Sequence, residues 1–219
     1  MLQVYLDPCT CNSRKVLAGL DLIGTQYNLN HGAYSEVYFL LIICGCWNGV
    51  TCLALLIKVK FSRTAMLTLK SQTVNYITGE HKSPEYLKIN PNGTVPSAID
   101  GDCTITESNA ILQYAADHSD NPQYYPKDLK RRAHVNRWLL WEASAWFPSC
   151  YVYLVEYVVK PLLKAEPDQS VIDAQAPKWH LQAAILDAQL AKTKWLVGDE
   201  VTIADSSYSR LPFFLSRIV

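Results

Sequence analysis

The sequence predicts an α/β half followed by an all-helical half. Three observations carry this. Before about residue 118, short β-favouring runs alternate with helix signals and end on an Asp-Gly turn motif. "SDNPQYYPKD" (119–128) is then polar and proline-containing, a plausible linker. Beyond it the apolar residues recur only at helical spacing. We therefore expect an α/β domain at 1–118 and a helical domain at 119–219.

The elements follow in order. "LQVYL" (Leu2–Leu6) reads as a strand ended by Asp7-Pro8. Val16, Leu17, Leu20 and Ile23 lie on one helix face, and Gly24 stops that helix. "TQYNLN" reads as a second strand beginning, and "TVNYITG" as a strand or the remainder of one. In "SPEYLKIN", Ser83 caps a short helix and Pro84 takes its first position. "TVPSAI" is extended, because a residue before proline avoids the helical region. Asp100-Gly101 predicts a hairpin turn into "CTIT", after which Thr106 can cap the helix "ESNAILQYAADH". In the second half, one long helix runs through Trp138 and Trp146 and continues past Pro148 with a kink. A second follows from Gln169, and "VTIAD" opens a last one.

Composition excludes several functions. Twenty basic and twenty acidic residues balance, so there is no electrostatic footprint for nucleic acid. Seven cysteines at irregular spacing do not form a disulfide framework. No secretory signal opens the chain, and a reducing, cytoplasmic compartment is expected. The Cys-x-Cys pairs at 9/11 and 44/46 lack a histidine to complete a four-ligand metal set, so no metal is expected.

The motifs as a set resemble a known family. "EHKSPEYLKINPNGTVP" is similar to the plant and fungal phi-type pattern of the glutathione transferases. "TES" (106–108) resembles their γ-glutamyl site, "CTCNSRKVLAGLDLIG" their first loop and helix, and "VTIAD" the motif opening their buried sixth helix. The likeness covers roughly 1–31 and 74–205. It implies a thioredoxin-like N-terminal domain, a helical C-terminal domain and a homodimer. It also implies a cytoplasmic detoxifying enzyme that conjugates glutathione to hydrophobic electrophiles, with glutathione as co-substrate and no cofactor.

The implied glutathione contacts are His81 and Lys82, which supply charge for the glycyl carboxylate, Val95 with Pro96 for the cysteinyl backbone, and Glu107 with Ser108 for the γ-glutamyl end. Thr94 stands where the family often has glutamine. An extended peptide needs a fixed backbone edge, which a cis Val95–Pro96 bond would supply. A helix N-terminus at Ser108 favours a carboxylate. The thiol-activating position falls on Thr10, with Ser13, Cys11, Asn12 and Cys9 as alternatives. A cysteine there would favour glutathione-dependent thiol–disulfide exchange. A non-catalytic binding module of the same family is the other alternative.

Two stretches depart from the pattern. About forty residues near Gly32–Gln72 interrupt the second strand and include the uncharged run Val37–Ile57. A membrane span there would part the strands of one sheet, whose hydrogen bonds cannot cross a bilayer. A surface excursion or a disordered segment is expected instead. After about residue 205, "SSYSRLPFFLSRIV" ends the helical domain early. Both departures abut family-like sequence abruptly, as translated intron sequence would, and a spliced transcript encoding both segments would refute that origin.

Overall fold

A computed structural model of the chain describes residues 2–7, 10–28 and 68–208. Cys9, Val37–Ile57, most of the 32–72 insertion and the sequence after Tyr208 lie outside them. Among the described residues no helix is long and apolar enough to cross a membrane. The chain divides into two units, with the change falling between Asp128 and Leu129. That is the far end of the 119–128 stretch, ten residues beyond the expected boundary.

The first unit is built on a five-stranded sheet ordered β2-β3-β1-β4-β5. β1 (Leu2–Leu6) alternates buried and half-buried residues. Its Leu2, Val4 and Leu6 are fully buried, as are Val16, Leu17 and Leu20 of α1 (Cys11–Leu22) and Ile111, Leu112 and Ala115 of α3 (Ser108–Asp117). Full burial of each large aliphatic stabilises by about 1.5–3 kcal/mol. Tyr5 points to the opposite face and packs with Ile89 against Val74, Tyr86 and Val95. The helix α2 (Pro84–Leu87) begins as expected, with the Ser83 side chain accepting the Tyr86 N–H.

Three local expectations are corrected. The strand beside β1 is β3 (Thr68–Thr73), which takes only Thr73 of "TVNYITG" and pairs in parallel with β1 on one side and with β2 (Gln26–Asn28) on the other. The ladder ends at the Val74 N–H, bonded to Leu6 O at 3.0 Å. Beyond it, side chains capture the backbone donors. Glu80 Oε2 takes the Asn75 N–H, Asp7 Oδ2 takes Tyr76 N–H and Asn75 Oδ1 takes Thr78 N–H. These bonds compete with strand pairing and turn the chain away. The insertion thus ends inside the sheet. Secondly, Asp100 pairs with Cys103 between β4 (Ser97–Asp100) and β5 (Cys103–Thr106). The two turn residues are therefore Gly101 and Asp102, and the positive φ of 61° falls on Gly101. Thirdly, the cap of α3 is Glu107, not Thr106.

The second unit is helical. α4 (Leu129–Trp141) runs through a π-turn (Glu142–Trp146) into α5 (Phe147–Leu154), then through a second π-turn (Val155–Val159) into α6 (Lys160–Leu162). Each π-turn closes one residue before a proline, with Phe147 N–H bonded to Glu142 O and Lys160 N–H to Val155 O. A proline ring clashes with the carbonyl four residues back, and the wider turn makes room for it. The predicted kink at Pro148 takes this form. α7 (Gln169–Leu190) is capped by Asp168, whose carboxylate accepts the Ser170 and Val171 N–H groups. The last described helix is α8 (Ile203–Tyr208).

Candidate functional site

Strand register brings the candidate residues of the first unit together. Thr73 of β3 lies beside Leu6, Ser97 lies beside Tyr5, and Thr106 lies beside Ser97. The chain therefore leaves β1 for Thr10, leaves β3 for His81, enters β4 from Pro96 and leaves β5 for Glu107 at one end of one sheet. The sequence separations are large; the ladder alone makes these residues neighbours.

The Val95–Pro96 bond is cis. The loop before it is held from behind. Asn90 is fully buried, and its amide donates to Thr94 O at 2.8 Å and Thr94 Oγ1 at 3.1 Å. The Tyr86 hydroxyl donates to Thr94 O at 2.7 Å and lies 2.8 Å from Ser97 Oγ. Burial pushes the Tyr86 phenol up, so it stays a neutral donor. Among the described residues, neither the Val95 N–H nor its C=O makes a hydrogen bond. Among the described residues the Val95 backbone groups are thus left without a partner, between neighbours that are held in place.

His81 and Lys82 form a short 3₁₀ turn, Glu80–Lys82. The His81 ring is buried and stacks on Tyr76 with centroids 4.0 Å apart. Desolvation lowers its pKa and the Lys82 ammonium adds to this, while Asp7 opposes them. The ring is therefore neutral at neutral pH and offers an N–H, where the sequence reading expected a charge. Among the described residues its Nδ1 has no hydrogen-bond partner. Lys82 carries the charge; it is exposed, with Nζ donating to Asn92 O at 3.2 Å. Gly93 lets it lie there, since a Cβ on that residue would sit 2.8 Å from Lys82 Nζ and its φ is +56°.

Glu107 caps α3 with φ 69° and ψ 121°, a region L-residues rarely occupy. Such strain concentrates at ligand sites and is held by the surrounding structure. Glu107 is exposed and Ser108 is buried. Ser108 Oγ accepts a hydrogen bond at 3.1 Å from Lys15 Nζ. The sequence reading missed Lys15. The available signal was a charge sharing the α1 stripe of Ala18 and Leu22 at helical spacing.

Thr10 sits at the N-cap of α1 but makes no side-chain capping bond. Its hydroxyl lies 3.0 Å from Asp7 O and 2.8 Å from Ser13 Oγ. Ser13 is fully buried, and its oxygen also accepts the Asp7 N–H. Cys11 and Asn12 are half-buried in the first turn of α1, and Cys9 lies outside the described residues. In the second unit, the aromatic stretch 137–148 is divided between core and surface. Trp138, Leu139 and Trp146 are buried, whereas Leu140 is exposed and Trp141 and Phe147 are half-buried.

Comparison with known proteins identifies the family to which the chain is similar. Residues 37–117 match the model of the glutathione S-transferase N-terminal domain, and residues 151–211 match that of the C-terminal domain. The chain is 35% identical over 161 residues to glutathione S-transferase F10 of Arabidopsis thaliana, which covers 69% of this chain and 74% of that one. It is 34% identical to glutathione S-transferase 3 of Zea mays over 65% of each chain. It is 35% identical to human glutathione S-transferase theta-2 over 66% of this chain and 60% of the relative. It therefore spans somewhat under two thirds of the maize and human proteins. The crystal structure of glutathione transferase F7 from Populus trichocarpa superposes with a TM-score of 0.73 at 24% identity, over 99% of this chain and 84% of that one. The maize transferase I solved with an atrazine–glutathione conjugate gives 0.70.

Proposed function

The chain belongs to the glutathione S-transferase family, and from that premise we propose that it joins the thiolate of glutathione to hydrophobic electrophiles. The observation that carries this reading is the Val95 N–H and C=O beside the cis Val95–Pro96 bond, which make no hydrogen bond among the described residues. An extended tripeptide can pair with those groups through main-chain hydrogen bonds. At one flank the His81 N–H and the Lys82 ammonium take the glycyl carboxylate. At the other, Ser108 and the N-terminus of α3 take the γ-glutamyl carboxylate, and the Glu107 carboxylate takes the ammonium. The Thr94 hydroxyl, exposed and already accepting from Asn90, can still donate.

Thr10 is the activating group in this reading. Its hydroxyl turns its proton from Asp7 O to the glutathione sulfur and stabilises the thiolate. The sulfur then attacks the electrophile, forming the C–S bond as the leaving group departs or the acceptor bond opens. Lowering a thiol pKa by two units corresponds to about 2.7 kcal/mol, within reach of one charged hydrogen bond at a helix start.

A cytoplasmic homodimer acting in detoxification completes the proposal; the free thiol of exposed Cys103 suits a reducing compartment. Glutathione and the electrophile are its small-molecule partners; neither a metal nor nucleic acid has a part in it.

A second reading has one observation behind it. Cys11 is a half-buried cysteine in the first turn of α1, where a helix N-terminus favours the thiolate. Such a thiolate would attack glutathione-mixed disulfides. The test is turnover of a chlorinated aromatic with glutathione by the full chain, alongside binding to Ser108→Ala. We expect turnover, and a loss of about 1.5–3 kcal/mol in glutathione affinity for the variant. Binding without turnover would select the non-catalytic module, and reduction of a glutathione mixed disulfide without conjugation would select the second reading. Unchanged affinity in the variant would overturn the assignment of α3.

A further inference from the structure

A lysine inside a packed helix face is costly to bury and asks what it does. Lys15 is 5% exposed, on the α1 face shared with buried Ala18 and Leu22. Its ammonium lies 3.1 Å from Ser108 Oγ and 3.3 Å from Asn109 Oδ1, both in the first turn of α3. Ninety-three residues separate Lys15 from Ser108, so only the packing of α1 against α3 creates the contact.

The chemistry of a hydroxyl decides the consequence. Ser108 has one proton to donate and two lone pairs to offer. An ammonium can only donate, so it occupies a lone pair and repels the hydroxyl proton. Among the described residues the Ser108 hydroxyl has no acceptor for that proton. The proton is thus turned away from α1, free for an incoming acceptor. The ammonium also sets a full positive charge beside the partial positive charge of the α3 N-terminus. Asn109 Oδ1 also accepts from the ammonium.

We propose that Lys15 is a positioning residue for the carboxylate site at the start of α3: by donating to Ser108 Oγ it orients the Ser108 proton toward the γ-glutamyl carboxylate and adds its charge to that site. This rests on the reading of Ser108 as a glutathione contact. Lys15 does not touch the ligand; it acts through Ser108 and through the field.

The experiment compares two peptides on the full chain: glutathione, and γ-aminobutyryl-cysteinyl-glycine, which keeps the amine and lacks only the γ-glutamyl α-carboxylate. Titration calorimetry should show that the unmodified chain prefers glutathione. Lys15→Met, of similar length but uncharged, should bind glutathione about 10-fold more weakly while its affinity for the analogue stays unchanged. Lys15→Arg should restore much of the preference. In the Lys15→Met background Ser108→Ala should cost less than in the unmodified chain. Should Met not be accommodated, Lys15→Gln keeps a donor without the charge and should lose about 3-fold on glutathione alone. Equal losses on both peptides, or a lowered thermal midpoint with the preference intact, would assign Lys15 to packing and overturn the proposal. Equal affinity of the unmodified chain for both peptides would instead overturn the carboxylate assignment of α3, and the role of Lys15 with it.

Discussion

Thr10 has one hydroxyl proton and two internal acceptors within 3.0 Å, Asp7 O and Ser13 Oγ. A thiolate competes well against a neutral carbonyl for that proton, because charge-assisted hydrogen bonds are roughly twice as strong. Thr10→Ala should therefore lower conjugation turnover by about 10²-fold and leave the glutathione dissociation constant nearly unchanged, read by steady-state kinetics beside calorimetry. If Cys11→Ala abolishes activity and Thr10→Ala does not, the chemistry is thiol exchange. His81 makes a prediction about pH. Burial first, and Lys82 second, lower its pKa from the ordinary 6.5 in the folded chain. The unfolded chain then binds the extra proton first as pH falls. The His81 contribution to stability is full above about pH 6.5 and is lost below it, down to the folded pKa. Urea unfolding at pH 7.5 and 5.5 should show this loss, and His81→Phe, which keeps the Tyr76 stack, should show less of it. An equal loss in the variant would place the titration elsewhere.

At the scale of the element, the start of α8 depends on one carboxylate. Asp205 Oδ1 accepts the Leu196 N–H at 2.9 Å, and Oδ2 accepts the Thr202 N–H at 2.8 Å and the Thr202 hydroxyl at 3.1 Å. All of these groups are buried. Desolvation still raises the Asp205 pKa, outweighing the donors that would lower it. The cap ties α8 to the turn at Trp195–Gly198. Asp205→Ala strands buried N–H groups and should cost about 3–5 kcal/mol, measured by urea denaturation, with Asp205→Asn losing less because an amide oxygen can still accept. A cost below about 1 kcal/mol, the size of an ordinary exposed cap, would show that α8 is held by its apolar contacts alone. Glu156 does a similar task for α7: its carboxylate takes the Asp168 N–H at 2.7 Å and pairs with Lys160.

For the whole molecule, the open question is what the 32–72 insertion contributes. It supplies five of the six residues of β3, a strand paired on both sides. Yet Lys70 and Gln72 are exposed and Ser71 and Thr73 only half-buried, which is poor burial for an inner parallel strand. β2 already runs parallel to it, with Gln26 beside Thr68. Deleting residues 32–72 leaves Gln26–Asn28 free to move one strand inward and pair with β1. The uncharged run Val37–Ile57 goes as well, removing apolar surface that costs roughly 25 cal/mol per Å² wherever water reaches it. We expect the deletion to fold, with higher soluble yield and a thermal midpoint at or above that of the full chain. A full chain that is monodisperse and more heat-resistant than the deletion would show that β3 and its approach are integral to the fold.

The local signals in the sequence determined most elements and the identity of most candidate contacts. Leu2–Leu6, the helix after Thr10, the Ser83 cap and the two-part architecture follow from apolar period and capping chemistry, which act over a few residues. The motifs around His81, Val95 and Ser108 were legible because those residues stand close in sequence. Tertiary structure decided what long-range pairing controls. "TVNYITG" has strand propensity, but Asp7 and Glu80 take its N–H groups, and only its Thr73 lies in β3. His81 reads as a charge until burial against Tyr76 neutralises it. Ser13 reads as a hydroxyl beside Thr10 until its full burial is known. Lys15 reads as an ordinary helix lysine; its meaning depends on α3, whose contact with α1 exists only once both helices pack on one face of the sheet and bring an ammonium against a hydroxyl far along the chain.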